Sequence, residues 1–526
     1  MDKKSSIGKL ASQADRASSQ RRTILRGGAA FALLPAAGFL RTAFAQTAQA
    51  AAATNYNTTI PSWVPTLKSD LAAMATQLDK TVLPWKAPAV ALYSRPENHG
   101  YTTSSTPKQT AMAIQASIDY VHAKGGGVCH LEKGDYVSGT IVLKDNVQLL
   151  IDPGVRLVAS TDKADYPQKT SSTQTVMDTY YKEFYSLIYA EGATNISIAG
   201  KGTIYGQGEK FPRANNEFDT VFRPFVMRII GCTDIHVTDV TMINSPAWMH
   251  DYLACDNLLV ENITVSNISN INNDAIDIDG CQNVIVRNCD FNSEDDGICF
   301  KGASERLMQN VLVENCDSHS STNALKIGTD TQGSFNNILV RNCLLSGPKT
   351  DRTALYKQLS INTDPKRVKG GISWESTDGG TVSNILVSDC QITNAESPFF
   401  IALGDRNREM PGQKTPPAGT VRRIVFDQIT GSNNGSDGSW FSGLTSKPIT
   451  DVVLSNVDLG VIAYTGKAPS ASSIGEIGAG YPDPGASPLP AYGLWGRHIT
   501  NLTLSNCSWT VTGGTDTRPK ILIEAS

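Results

Sequence analysis

Strong charge of either sign is missing from this sequence of 526 residues: 46 basic side chains face 50 acidic ones, and charged residues make up only 18%. A nucleic-acid binder would carry a basic excess, so the formal net charge of −4 argues against that class. Also missing is any apolar run of the roughly 20 residues needed to span a bilayer, so no membrane association is expected. The seven histidines, His99, His122, His130, His236, His250, His319 and His498, show no zinc spacing. Neither a Gly-rich phosphate loop nor a Ser-His-Asp order stands out, and no metal or cofactor is called for. Aromatics are sparse at 7%, but with 40% hydrophobic residues a chain this long buries enough surface to offset its conformational entropy, which excludes disorder. Length alone allows three domains or one elongated one. What the chain does have is 44 glycines among abundant Asn, Thr and Ser, a composition that leans to β structure with many turns.

The N-terminus reads as an export signal. A polar stretch ends in Arg21-Arg22-Thr23-Ile24-Leu25-Arg26, and an apolar run of about 14 residues follows from Gly27 to Leu40. Ala43 and Ala45 supply small residues at the two positions a signal peptidase reads. The paired arginines resemble a twin-arginine signal. Residues 1–45 are therefore expected to be removed, and the mature chain to work in the periplasm or outside a bacterial cell. Ten cysteines in an exported chain suggest disulfides. Cys289, Cys316, Cys343, Cys390 and Cys507, however, share one phase of a repeat, as buried small side chains in a core column would. Pairing of Cys255 with Cys281, or of Cys281 with Cys299, stays open.

That repeat sets the architecture. Its clearest copies are Asn257-Leu-Leu-Val-Glu-Asn-Ile, Asn283-Val-Ile-Val-Arg-Asn-Cys, Asn310-Val-Leu-Val-Glu-Asn-Cys and Asn337-Ile-Leu-Val-Arg-Asn-Cys, at spacings of 26, 27 and 27. Further copies start at Asn384 and Asn501. Each is a short β-branched strand between turn formers, too small to bury its apolar face without stacked neighbours. The period is too short for a propeller blade and the consensus is not that of a leucine-rich repeat. The fold expected is all-β: a single right-handed parallel β-helix. Ile114, Ile118 and Val121 share one helical face between Gln109 and Lys124, and Gly125-Gly126-Gly127 stops that helix, which would cap the open end of the coil. Residues 46–95 read as a lead-in segment, 96–526 as the β-helix, and Gly475 to Pro490 as a long loop before the last turn.

One strand over from the Asn ladder, Ala275-Ile-Asp-Ile-Asp-Gly aligns with Gly297-Ile-Cys-Phe-Lys-Gly, Ala324-Leu-Lys-Ile-Gly-Thr and Gly371-Ile-Ser-Trp-Glu-Ser. Alternation sends the Ile, Leu, Phe and Trp inward. It leaves two outward columns: Asp277, Cys299, Lys326, Ser373; and Asp279, Lys301, Gly328, Glu375. Just before the strands stand Asp274, Asp296, Asn323 and Gly370, with Asp295 beside Asp296. Turns stack about 4.8 Å apart, so Asp274, Asp277, Asp295 and Asp296 cluster on one outer face. Crowded carboxylates raise one another's pKa, which lets one stay protonated while another is ionised. Glycoside hydrolysis needs that division between an acid for the leaving oxygen and a base for water. Lys301 is expected to pair with Asp279, and Asp295 to face solvent. Lys326 either supplies a cation to substrate or pairs with Asp277. Lys349, Arg352, Lys357, Lys366, Arg367 and Lys369 form a candidate basic lid, and His319 lies near in sequence.

The segments Asn272-Asn273-Asp274-Ala-Ile-Asp277 and Glu294-Asp295-Asp296-Gly resemble the Asn-Thr-Asp and Asp-Asp motifs of family 28 glycoside hydrolases, the polygalacturonases and their relatives. Gly202-Thr-Ile-Tyr-Gly-Gln-Gly208 and Asn244-Ser-Pro-Ala-Trp248 are similar to that family too. The resemblance implies a β-helix and hydrolysis of pectin-type polysaccharide or oligosaccharide with inversion. It makes Asp295 the general acid and Asp274 with Asp296 the residues that position water. Asp277, Asn323, Lys326, Lys301 and Glu375 would line the substrate, and the enzyme would work as a monomer. Two motifs of the family are absent. Thr322-Asn323-Ala324 stands where Gly-His-Gly is usual, and Ser373-Trp374-Glu375 replaces Arg-Ile-Lys, which grips a substrate carboxylate. A Ca²⁺-dependent lyase-like β-helix and a catalytically silent glycan binder are the competing expectations.

Overall fold

The computed structural model describes residues 55–525 except 90–91, 180–183, 214–220, 360–363 and 486–487. The expected export signal lies outside the described residues. From Gly127 onward the chain is a stack of short strands, each pairing in parallel with the strand one turn before and one turn after it. Asp256–Glu261, Gln282–Arg287, Met308–Glu314, Phe335–Arg341 and Thr381–Ser388 make one file. Thr264–Asn267, Asp290–Ser293, Asp317–His319, Leu344–Ser346 and Gln391–Thr393 make a second. The third is a twelve-stranded sheet running from Ile141–Val142 to Ile521–Ile523. Parallel neighbours linked by same-sense crossovers give a right-handed parallel β-helix, as the repeat predicts.

The repeated Asn shows why its phase is fixed. Asn257, Asn283, Asn310 and Asn337 all have φ between 54° and 58°, a left-handed backbone that Asn tolerates better than other side-chain-bearing residues. Their amides form a ladder: Asn283 donates to Asn257 at 3.2 Å, Asn310 to Asn283 at 3.1 Å and Asn337 to Asn310 at 3.4 Å. Cys289, Cys316, Cys343 and Cys390 are buried in the core at the following corner, while Cys507 is half-buried. All ten cysteines are free. Cys255 and Cys281 belong to neighbouring turns, and the Cys255 N–H points at the Cys281 sulfur at 3.3 Å. The bridges left open from the sequence are therefore not formed.

Helix α1, Trp63–Thr81, lies within the lead-in segment. Val64, Leu67, Leu71, Ala75 and Leu78 recur on one face and are buried, a 3.6-residue period hidden inside an Ala- and Thr-rich composition. That face covers Leu259, Ile285, Leu312, Leu339, Leu386, Val425 and Val453, the outward middle residues of successive repeat strands. Lys68 pins the helix to Asp427 at 2.6 Å and Asp79 pairs with Arg287 at 3.1 Å. Helix α2, Pro107–Ala123, is the expected cap. Thr106 and Gln109 bond reciprocally at its N-terminus, which satisfies two free donors, and Ile114, Ile118 and Val121 close the coil's open end. Gly127 ends the stop signal with φ +156, and a Cβ there would lie 2.4 Å from Leu92 O, so no larger residue fits.

Candidate active site

The acidic residues gather on the outer face of the twelve-stranded sheet. Register confirms the first column drawn from sequence: Asp277 pairs with Cys299, Cys299 with Lys326 and Lys326 with Ser373. In the second column Asp279 pairs with Lys301, but the register shifts between Phe300 and Gly302, so Gly328 does not continue it. Lys301 nevertheless turns its side chain away from Asp279. Its ammonium lies 3.3 Å from Asp277 and 3.7 Å from Asp274, while Asp279 accepts the Ala303 N–H at 3.0 Å. Lys326, likewise, pairs with Asp296 at 3.0 Å and Glu375 at 3.7 Å rather than with Asp277.

Outward does not mean exposed here. Asp274 and Asp296 keep 2% of their surface, Asp277 and Glu375 none, and Lys301 and Lys326 6% and 3%. Asp295 is half-buried rather than solvent-facing. Trp248 covers Lys301 with its ring centre 4.5 Å from the ammonium, and Trp248 in turn stacks on Phe225 at 5.2 Å. From the other side Tyr481, carried by the loop before the last turn, accepts a hydrogen bond from Lys326 at 3.3 Å.

Local hydrogen bonds hold the two acidic turns. The Asn273 side chain accepts the N–H groups of Ser269 and Asn270 at 2.8 and 2.6 Å and donates to Ser245 O and Ala247 O, both at 2.9 Å. Asn267 donates to Asp274 O at 2.8 Å. On the next turn Ser293 and Ser320 donate to Asp295 O at 2.8 and 2.5 Å. Buried Arg352 reaches Asn292 Oδ1 at 2.5 Å from the inserted loop. The carboxylates therefore project from braced backbone.

Burial and crowding separate their protonation. Burial, then the Asp296 charge, pushes Asp295 up to about 6. Asp277 is raised by burial to about 7, despite Lys301, and burial with Asp277 and Asp295 holds Asp274 well above the usual carboxylate range. Asp296 is held differently, by the Asn323 amide at 2.8 Å and the Lys326 ammonium. Among the described residues no hydrogen bond or ion pair reaches the Asp295 carboxyl group. Adjacent residues thus differ: the Asp295 carboxyl group has a raised pKa, and the Asp296 carboxyl group is bonded to a cation and an amide.

The family model described as Glycosyl hydrolases family 28 matches residues 159–476, more than half of the chain. The chain belongs to this family. As a family 28 member it is a glycosidase. A probable polygalacturonase of Vitis vinifera is 23% identical over 70% of this chain and 74% of its own length. Exopolygalacturonase B of Aspergillus niger is 25% identical over 64% and 76%. In fold the chain resembles an exopolygalacturonase from Thermotoga maritima, with a TM-score of 0.59 at 18% identity, covering 82% of this chain and 96% of that one. The polygalacturonase from Erwinia carotovora gives 0.52 at 20% identity over 72% and 94%.

Several expected site residues take other places than the sequence suggests. Asp277 and Glu375 lie wholly beneath the surface, below Lys301 and Lys326, and as placed have no open face for a sugar. Most cations of the inserted loop are engaged, although Lys357 is exposed and Lys366, paired with Asp351 at 3.5 Å, is exposed too. Lys349 pairs with Asp290, Arg352 is buried, Arg367 pairs with Glu396 at 3.4 Å and Lys369 with Asp483 at 3.1 Å. His319 is tied to Gly347 O at 3.0 Å. Two further residues belong to the site, Glu294 and Tyr481. Glu294 is buried, with its pKa raised by burial and Asp295 to about 8, and the Glu-Asp-Asp run was its signal. Tyr481 had none, because only the path of its loop brings it to Lys326.

Proposed function

We propose that this family 28 glycosidase cleaves galacturonate-containing, pectin-type polysaccharide or its oligosaccharides with inversion at the anomeric carbon. Asp295 protonates the leaving glycosidic oxygen, while Asp274 and Asp296 position water on the opposite face and Asp296 takes its proton. The observation that carries this reading is the contrast between Asp295, raised to about 6 and unpaired among the described residues, and Asp296, clamped by Lys326 at 3.0 Å. In an inverting enzyme the acid and base stand about 6.5–9.5 Å apart, leaving room for that water. The names of the relatives, polygalacturonase and exopolygalacturonase, support the substrate class.

Ser373-Trp374-Glu375 offers no guanidinium or ammonium for a uronate carboxylate, which favours a substituted or rhamnose-containing backbone over plain polygalacturonate. Export through a twin-arginine signal at residues 1–45, a lead-in at 46–95, a catalytic β-helix at 96–526 and work as a monomer complete the proposal. The acidic groups Asp274, Asp277 and Cys299 lie close enough to hold a cation, but the Lys301 ammonium at 3.3 Å from Asp277 already supplies the positive charge. That disfavours the Ca²⁺-dependent lyase.

Purified protein incubated with homogalacturonan, rhamnogalacturonan and xylogalacturonan tests the reading. New reducing ends without unsaturated uronate are expected, unaffected by chelator. Unsaturated products abolished by chelator would establish the lyase instead, and no product from any of the three would leave a glycan binder.

A further inference from the structure

The lysine beside Asp296 has a geometry that a substrate-binding cation would not need. Lys326 keeps only 3% of its surface, so its ammonium is not offered to a sugar. An ammonium has three protons, and three oxygens surround this one: Asp296 Oδ2 at 3.0 Å, Tyr481 Oη at 3.3 Å and Glu375 Oε2 at 3.7 Å. The other oxygen of Asp296 takes the Asn323 amide at 2.8 Å, and Ser373 fixes that amide by donating to Asn323 Oδ1 at 2.7 Å. Asp296 is therefore held at both oxygens, by a cation and by an oriented amide.

We propose that Lys326 is a positioning residue that keeps Asp296 an ionised base beside a protonated Asp295, and that it does not contact substrate. This rests on the glycosidase reading above. Without the cation, Asp296 would stand desolvated among carboxyl groups and compete with its neighbour for one proton. The groups facing it are Asp295 from its own turn, Asp274, Asp277 and Lys301 from the two strands around it, and Cys299 below. Glu375 and Tyr481 approach from the later turns. Of these, Lys301 is already engaged by Asp277 and Asp274, which leaves Lys326 as the cation that Asp296 depends on. Burial would lower the Lys326 pKa, but the neighbouring charge of Asp296 outweighs it and holds the pKa well above the ordinary range, so Lys326 remains charged throughout the working pH. Glu375 lies fully buried on the far side, where burial raises it to about 8. Below that pH it is neutral and does not draw the ammonium away from Asp296.

The test is the pH dependence of kcat/KM and the separate values of kcat and KM for wild type, Lys326→Met and Lys326→Arg on the best pectic substrate. An opposite charge at this distance shifts a carboxylate by about 1–3 pH units, so Lys326→Met should move the acid limb up by about that much. Its kcat should fall about 100-fold or more with KM within about 3-fold. Lys326→Arg should return the limb to within about half a unit of wild type, because the charge is restored. A rise in KM with an unmoved acid limb would overturn the proposal and make Lys326 a substrate contact. If Lys326→Met does not fold by circular dichroism, Lys326→Gln is read the same way, and an unmoved limb there overturns the proposal too. Should wild type hydrolyse no pectic fraction, the proposed function fails by itself. Carboxyl ¹³C shifts of labelled Asp in wild type and Lys326→Arg or Lys326→Met, followed against pH, then still decide whether Asp296 depends on this cation.

Discussion

Asp295 and Asp296 share a peptide bond but not an environment: Lys326 and Asn323 clamp the carboxylate of Asp296 at 3.0 and 2.8 Å, while Asp295 is held through its main-chain oxygen by Ser293 and Ser320. Fixing one residue by its side chain and the next by its backbone leaves one carboxyl group committed and its neighbour half-open to a substrate.

The pH–activity curve should carry that asymmetry. Asp295 is raised by burial and by Asp296 to about 6, so the acid loses its proton as pH rises through that value. Activity should fall about tenfold per unit above roughly pH 6. Asp295→Asn keeps the shape and removes the transferable proton; hydrolysis should drop about 1,000-fold with little change in melting temperature. Full activity in that variant would remove Asp295 from the mechanism.

Glu375 makes a separate prediction about stability. Burial raises its pKa from 4.5 to about 8. The folded chain therefore binds this proton more tightly than the unfolded chain, and the associated stability is present below about pH 4.5 and lost as pH climbs to 8. Glu375→Gln should match wild type near pH 5 and exceed it by on the order of 2 kcal/mol at pH 9. Urea unfolding at the two pH values checks this, and an equal difference at both would refute it.

Helix α1 should be an integral part of the fold rather than a tether. Leu71, 1% exposed, sits in the cluster it forms with the outward residues of the repeat strands. Leu71→Ala should cost about 2–4 kcal/mol, as buried Leu truncations do. An unchanged melting temperature would show the helix to be loosely held.

In the Asn ladder, backbone and side chain contribute separately. Asn310 has φ 58° and bonds both its neighbours. Asn310→Ala loses the amide bonds and also forces alanine into a left-handed conformation, for about 2–3 kcal/mol. Asn310→Gly loses only the bonds and should be milder by about 1 kcal/mol. Equal losses in calorimetry would place the whole effect in the side chain.

The coil was legible because its period is local: each copy of the repeat carries its own left-handed Asn and its own inward residues, so spacing alone predicts the register of Asp277, Cys299, Lys326 and Ser373. Helix α1 was legible in principle, since Leu259 and its equivalents place an apolar residue on the outer face of every repeat strand, a sign that something covers both faces. The pairing of the lysines was not. It depends on the reach of two flexible side chains, which a strand alignment does not encode. Burial of the outward columns was hidden for a similar reason, because Trp248 leans over from the preceding turn and Tyr481 arrives from a loop far along the chain.

The most direct test of the central claim is the anomeric configuration of the first product. Proton NMR, recorded within minutes of adding enzyme to an α-linked galacturonate-containing oligosaccharide, reads it before mutarotation. Inverting hydrolysis by Asp295 and Asp296 should give the β-anomer first. The α-anomer appearing first, or a product with an unsaturated uronate end, would contradict the account.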